Sequence, residues 1–282
     1  MSRTHTLSLI KFELVRVFLS ARWLIALLVW LLVAKLGARS VQVFGYGTGT
    51  STWSVFDVHA TAINSSFNVG LLLLTTFVFV ACDGIARDCE SRYVHMVLPR
   101  TSDRRSWWLA KVTAIVVSAL VFQLGFLAAC VAVGWSEGAS ISTAPSEVAR
   151  LVLSASQGQA QMLFAPVAST ANMLVRELVR SAYLVLTFSV AGGLFALPTI
   201  RFAFSWLPSG LALAAVMSDW IANFFLPAWF RHFGLVGRML EGVHSPAMAS
   251  PALSWWSSIT VFGVLALGVV VAGTLLVARV DI

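Results

Sequence analysis

Ten of the chain's charged side chains lie within residues 83–111, about a tenth of its length. Six are basic and four are acidic, namely Arg87, Arg92, Arg100, Arg104, Arg105 and Lys111 against Asp83, Asp88, Glu90 and Asp103. Charge at this density suits ion pairing with a soluble partner, or anchoring at a membrane boundary. Because apolar runs flank the segment on both sides, we expect it to be a short loop between two membrane spans.

The residue types that serve catalysis or metal binding show no matching pattern. The five histidines have no HxxxH, HExxH or HxxE spacing, and the three cysteines have no CxxC spacing. The lysines at positions 11, 35 and 111 follow Ile10, Ala34 and Ala110, so the chain has no GxxxxGK[ST] loop for ATP. We therefore expect no catalytic residue, metal or cofactor on this chain.

Composition places the chain in a membrane. Apolar residues make up 59% of it, charged residues 11%, and the mean hydropathy is +0.86. A soluble protein of this size needs more polar surface. The net charge of +7 fits membrane orientation and contact with anionic lipid better than nucleic-acid binding. The composition predicts a multi-pass protein of the cytoplasmic membrane, with lipid and not nucleic acid among its partners.

Residues 2–20 have the periodicity of an amphipathic helix. Apolar side chains recur on one helical stripe, formed by Leu7, Ile10, Leu14, Val17 and Phe18, and charged residues occupy the remainder. This pattern favours a helix lying in the membrane interface. An ordinary solvated N-terminus and a signal peptide are the alternatives, the second disfavoured by a long charged region and by Lys35 within the apolar stretch.

The apolar runs predict one transmembrane domain covering residues 1–282. Its six spans lie at about 22–44, 66–82, 112–135, 179–198, 204–226 and 254–278, with both termini and the 83–111 loop cytoplasmic. Residues 45–65, 136–178 and 227–251 are then outer segments, the last of them dipping into the membrane. Nine of the eleven tryptophans, among them Trp107 and Trp108, fall near predicted span ends, as in an interfacial aromatic belt.

Four features in or beside these spans carry further expectations. Lys35 and Arg39 lie toward the outer end of the first span, where they either snorkel outward or line a polar cavity. Arg176 and Arg180 fit an outer position poorly. Gly192 and Gly193 allow close helix packing or bending, and small residues in the fifth span let another helix approach closely, namely Ser209, Gly210, Ala212, Ala214 and Ala215.

The loop resembles the one between the second and third spans of permease subunits of type 2 ATP-binding-cassette (ABC) exporters. In that family the loop follows the pattern E-R-E-x-G-T-L…LL-x-x-P-x-S-R-x-x-x-x-x-K. The corresponding residues here are Arg87, Asp88 and Glu90, then Val97-Leu98, Ser102 to Arg105, and Trp107 to Lys111. Ser91 and Arg92 replace the usual Gly-Thr, and Thr101 replaces the usual Pro.

The resemblance implies a permease that works with other chains. Its 83–111 loop would carry a coupling helix docked on an ATPase, through Arg87, Asp88, Glu90, Arg92, Arg104 and Arg105. The partners would be ATPase subunits, which hold ATP and Mg²⁺, and a second permease chain in a homodimer or heterodimer. The expected function is ATP-driven export by a chain that is not itself an enzyme. A non-transporting membrane anchor or assembly protein is the alternative, and a membrane-embedded enzyme is less favoured.

Overall fold

The computed structural model describes residues 3–48, 52–90, 104–144, 146–147, 172–202, 204–225, 234–240 and 254–279. These residues form no β-strand element and are almost entirely helical. Their α-helices are α1 Arg3–Phe18, α2 Arg22–Thr48, α3 Val55–Ala62, α4 Thr75–Ala81, α5 Asp83–Glu90, α6 Arg104–Ser136, α7 Met173–Ala196, α8 Leu207–Phe225 and α9 Trp255–Arg279. A π-helical segment, Phe67–Leu74, leads into α4, and short 3-10 turns occupy Leu197–Ile200 and Gly237–Met239.

Several of these helices are long and apolar enough to cross a membrane. Within the described ranges they are α2, α6, α7 and α9, and a fifth span results if the bent pair formed by α3 and Phe67–Ala81 counts as one. α8 is a shorter apolar helix. These are the features of a multi-pass, all-helical membrane protein.

The segment before the second span differs from the prediction. Residues 45–65 were expected to form an outer loop, but α2 continues to Thr48, and all eight residues of α3 are buried. A capping box explains where α3 begins, because the Ser54 side chain accepts from the Phe56 N–H and the Ser54 N–H donates to Asp57 Oδ2 at 2.7 Å. After α3 the chain bends by 86° into the π-helical segment.

α6 begins earlier than the predicted third span, which was placed at 112–135. It starts at Arg104, so the last part of the 83–111 loop is helical. Trp107 and Trp108 consequently lie within the bundle, where both side chains are buried. Their assignment to an interfacial belt is therefore wrong. Trp108 packs against Gly273 of α9, where a Cβ atom would overlap the indole ring.

α7 also begins before the predicted span, at Met173 instead of 179. Arg176 and Arg180, for which the outer segment was a poor fit, are buried side chains of this helix. The expectation for the glycine pair is confirmed. A Cβ on Gly192 would lie 3.0 Å from Cys82 Sγ, and one on Gly193 would lie 2.6 Å from Val269 Cγ1, so α7 approaches its neighbours closely at this point.

An aromatic core holds the helices together. Phe77, Phe122 and Phe188 contact one another, with ring centroids 5.5 to 6.1 Å apart, and Trp30 lies 5.2 Å from Phe122. Aromatic contacts of this kind add about 0.5 to 1.5 kcal/mol each to the burial of their area. They join α2, α4, α6 and α7 into one bundle.

Residues 234–240, which fall in the predicted dipping segment, are fastened to this bundle. The Val236 N–H donates to Asp219 Oδ2 of α8 at 2.6 Å, and Tyr183 Oη of α7 donates to the Arg238 carbonyl at 2.7 Å. Arg238 donates in turn to Ser258 Oγ of α9 at 3.1 Å. The remainder of 227–251 lies outside the described residues.

Lys35 lies at the surface of the described bundle. Its side chain is 60% exposed, and its ammonium group pairs with Glu137, which follows α6. Gln42 Nε2 donates to the same carboxylate at 3.1 Å. Hydrogen bonding by Lys35 and Gln42 lowers the pKa of Glu137 below its ordinary value of 4.5.

Candidate functional site

The described part of the 83–111 segment is fixed to the bundle by four charged side chains, which we call the ionic cluster: Glu13, Arg16, Asp88 and Lys111. Lys111 Nζ lies 2.5 Å from Glu13 Oε2 and 2.5 Å from Asp88 Oδ2. Arg16 Nη1 pairs with the other Asp88 oxygen, Oδ1. α1, α5 and α6 each contribute to this one cluster.

Burial makes the ionic cluster energetically important. Glu13, Asp88 and Lys111 are all buried, and Arg16 is half-buried. Removing one partner from a buried ion pair costs about 3 to 5 kcal/mol, because the charge left behind has neither water nor a counter-ion. Lys111 also lies 5.4 Å from the centroid of the Trp107 ring, within the range of a cation–π contact. These contacts hold α1 firmly against α5 and α6.

The loop residues predicted to contact an ATPase fall into three groups. Arg87, Glu90 and Arg105 are exposed, and Arg104 is half-buried. Asp88 differs from them, because its buried carboxylate is occupied by Arg16 and Lys111 and does not belong to the chain's exposed surface. Arg92 lies in residues 91–103, outside the described part of the chain.

Sequence reasoning did not identify Glu13 and Lys111 as a pair. Glu13 was assigned to the polar side of an interfacial helix, and Lys111 to the entry of a span. They are 98 positions apart, and no spacing rule relates positions so distant. The charge of Lys111 was the only available indication of a partner. Lys is seldom fully buried unless it is paired, so a lysine that packs into a helix bundle needs a carboxylate beside it.

A second group of charges lies deep in the bundle, and we call it the His–Glu–Arg cluster: His59, Glu177, Arg176 and Arg180. His59 Nδ1 is 2.6 Å from Glu177 Oε2, and both side chains are fully buried. Arg180 Nη1 is 3.5 Å and Arg176 Nε is 3.7 Å from Glu177 Oε1. Arg180 Nη2 also donates to Asn64 Oδ1 at 3.3 Å, at the bend that follows α3.

The sequence contained a usable signal for this cluster as well. Ionisable residues within apolar helices are functional candidates, since burying them without partners is costly. The interpretation of 45–65 and 136–178 as outer segments placed His59 and Glu177 in solvated surroundings, and so concealed the signal. Their contact depends on α3 folding back into the bundle.

Neither cluster has the composition of a metal centre. Within the described ranges, no three His, Cys, Asp or Glu side chains lie together in a way that holds a metal ion. What both clusters can do is hold helices in register and bias one arrangement of the bundle over another through ion pairing. A scan against protein-family models finds no match for this chain, and no curated protein sequence matches it.

Proposed function

We propose that this chain is the transmembrane permease subunit of an ABC exporter. It moves a substrate across the cytoplasmic membrane while separate ATPase subunits bind and hydrolyse ATP. One observation carries the proposal beyond the loop resemblance: the ionic cluster ties both flanks of the 91–103 segment, Asp88 before it and Lys111 after it, to one point on the bundle.

This arrangement suits a segment that transmits force. A partner that displaces the loop acts on α5 and α6 together, because Lys111 links the two helices through Asp88. The same motion reaches α1, which pairs with both helices through Arg16 and Glu13. Contact with the ATPase would use side chains that reach the surface, namely exposed Arg87, Glu90 and Arg105 and half-buried Arg104. Asp88 then has a positioning role and not a docking one.

The proposal includes six spans with both termini cytoplasmic. The bent pair at α3 and Phe67–Ala81 supplies the second span and α8 the fifth, in addition to the four long helices. Reporter fusions test this topology. A reporter at Ser102 or at the C-terminus is expected to report the cytoplasm, and one at Gln159 the outside. An external signal at Ser102 contradicts the assignment.

A second permease chain, identical or homologous, would complete the transport path. Among the four long helices, α2 and α9 are the least buried within the chain: 39% and 22% of their most apolar stretches are buried. The resemblance to ABC exporter permeases implies a contact through the first and fifth spans, which correspond to α2 and α8. In α8, Ala212 is buried within the chain while Ala214 is exposed, so only the second is available to a partner. Cysteines introduced at Leu28 and Ala214 are expected to crosslink between chains and not within one.

Association with an ATPase is the direct test of the proposed function. The tagged full-length chain is purified in mild detergent from its own host, and co-purifying polypeptides are identified and assayed for ATP hydrolysis. A subunit carrying Walker A and Walker B sequences is expected. Purification without any such subunit favours the membrane anchor instead.

Two substitutions at the loop then test its role. Glu90→Ala and Arg104→Ala are expected to weaken ATPase retention and stop transport, since truncating one partner of a desolvated charge pair costs about 2 to 5 kcal/mol. Arg201→Ala, at an exposed arginine between α7 and α8, is the matched control, with a milder effect. Wild-type retention and transport in both loop variants contradict the coupling role.

A further inference from the structure

A cavity of about 200 Å³ lies beside the ionic cluster, between α1, the start of α2, and α4–α5. Three arginines line it, Arg16, Arg22 and Arg87, together with Glu13, Ser20 and Gly84. Since a water molecule occupies about 30 Å³ in the liquid, the cavity has a volume of about seven water molecules. That is enough for a phosphate group and part of the glycerol attached to it.

The charges around this cavity favour an anion. The residues that line the cavity carry three positive charges, on Arg16, Arg22 and Arg87, and one negative charge, on Glu13. Arginine is well suited to phosphate, because its planar guanidinium group donates two parallel hydrogen bonds.

One of these arginines is held in place before any ligand binds. Arg22 Nη1 donates to the Phe79 carbonyl at 3.1 Å, and its guanidinium carbon lies 4.6 Å from the centroid of the Phe79 ring. An arginine fixed in this way loses less conformational entropy when an anion arrives. Ser20 Oγ, which accepts from the Arg22 N–H at 3.4 Å, lies at the same turn.

The surroundings of the cavity are apolar and exposed. Phe12, Val15 and Leu19 form an exposed stripe on α1, next to the face that carries Arg16 and Ser20. Leu24 and Leu28 continue this apolar surface along α2. A free phosphate compound would use only the cavity, whereas a phospholipid would use the cavity and the apolar surface together.

We infer that this cavity binds the phosphate headgroup of an anionic phospholipid, whose acyl chains lie along the exposed apolar side chains of α1 and α2. The site is independent of the proposed transport function, since it requires neither an ATPase nor a second permease chain. A lipid bound here contacts α1, α2 and α5 at once.

Native mass spectrometry of the purified full-length chain tests this site. Phosphatidylglycerol and phosphatidylcholine with identical acyl chains are added at equal concentrations. Phosphatidylglycerol is expected to bind about tenfold more tightly, or better, because each basic residue near an anionic headgroup contributes about 1 kcal/mol. Equal binding of the two lipids overturns the inference.

Charge substitutions locate the site. Arg22→Gln and Arg87→Gln are each expected to weaken phosphatidylglycerol binding about fivefold and to leave phosphatidylcholine unchanged. Arg39→Gln, at an exposed position near the other end of α2, is the matched control and leaves both lipids unchanged. Since Arg22 also bonds to the backbone, Arg87→Gln decides the result if the first variant fails to fold. Unchanged binding in Arg87→Gln is a contrary result.

A steric variant tests the cavity without altering its charge. A Cβ on Gly84 meets no atom within 4 Å, so Gly84→Leu places its side chain in open space at the cavity wall. Loss of the preference for phosphatidylglycerol is expected. Gly263→Leu on α9, where a Cβ also meets nothing within 4 Å, is the control and retains the preference. Undiminished preference in Gly84→Leu contradicts the site.

Competition separates a lipid from a soluble ligand. Glycerol 3-phosphate at millimolar concentration carries the phosphate but no acyl chain. It is expected not to displace phosphatidylglycerol, because the apolar surface supplies part of the affinity. Displacement by glycerol 3-phosphate shows a site for soluble phosphate esters and overturns the assignment to a phospholipid.

Discussion

The ionic cluster and the His–Glu–Arg cluster both place carboxylates among cations away from solvent, but they draw on different parts of the chain. The ionic cluster joins α1, α5 and α6 through Lys111, which bridges two carboxylates. The His–Glu–Arg cluster is centred on one carboxylate, Glu177, and both arginines beside it come from the same helix, α7. The ionic cluster therefore connects three helices, whereas the His–Glu–Arg cluster connects α7 to α3 through His59 and balances charge within α7.

Their surroundings differ in the same way. Arg16 in the ionic cluster is 35% exposed, and a cavity and the charged loop lie next to it. In the His–Glu–Arg cluster, His59 and Glu177 are fully buried, and Phe126 lies 5.4 Å from the His59 ring. We expect substitutions in the enclosed cluster to affect folding, and substitutions in the ionic cluster to affect both folding and partner binding.

Glu177→Gln is expected to have the largest effect on stability. It removes the carboxylate charge that lies within 3.7 Å of both Arg176 and Arg180, whose side chains are buried, which costs about 3 to 5 kcal/mol. Tryptophan fluorescence during thermal unfolding in detergent measures the loss. Glu177→Met combined with Arg180→Met is expected to recover part of it, because fewer unpaired charges remain. A wild-type unfolding midpoint in Glu177→Gln contradicts the importance of this cluster.

Lys111→Met is expected to cost somewhat less, about 3 kcal/mol, since Arg16 still pairs with Asp88. Under the proposed function it also lowers the amount of ATPase retained per folded molecule, whereas Glu177→Gln leaves that ratio unchanged. Adding Asp88→Asn removes one of the two buried carboxylate charges that Lys111 neutralises and is expected to give a coupling energy of about 1 to 3 kcal/mol. Equal ATPase retention in Lys111→Met and wild type contradicts the difference between the clusters.

Gly273→Ala tests the packing beside the ionic cluster. The added Cβ overlaps the Trp108 ring, one turn of α6 before Lys111, so we expect a loss of about 1 to 3 kcal/mol. Gly268→Ala on the same helix meets nothing within 4 Å and is expected to be neutral, or to stabilise by up to about 1 kcal/mol. The two variants are compared by unfolding midpoint. The same sign of change in both is the contrary outcome.

The exposed pair between Lys35 and Glu137 is expected to matter least, because water and salt screen it. Because the pKa of Glu137 is lowered in the folded chain, any stabilisation is present above its ordinary value of 4.5 and is lost as the pH falls through the lowered value. Glu137→Gln is expected to shift the unfolding midpoint slightly at pH 7, and this shift is expected to shrink as the pH falls below 4.5. High salt is expected to remove the difference.

The helices themselves were largely predictable from the sequence. Long apolar runs indicated α2, α6, α7 and α9, and the period of residues 2–20 indicated α1. The ends of these helices were less predictable. α6 and α7 both start in stretches that contain arginines, and a hydropathy pattern ends a span at such residues although the helix continues.

The contacts of the candidate sites were not predictable in the same way. From the sequence, Glu13 was assigned to an interfacial helix and Lys111 to a membrane boundary. His59 was assigned to an outer loop. Each becomes a buried partner only because a distant helix supplies the opposite charge. A local pattern records how polar a stretch is, but not which remote group neutralises it.

Composition and periodicity alone determined that this is a multi-pass helical membrane protein with one strongly charged loop, because the cost of placing polar groups in hydrocarbon acts on each segment separately. Only the tertiary structure decided that α3 folds back into the bundle, that Asp88 is buried beside Lys111, and that a cavity lined by arginines lies under α1. These features depend on ion pairs and packing between residues far apart in the chain, and their free energy exists only when the helices have assembled.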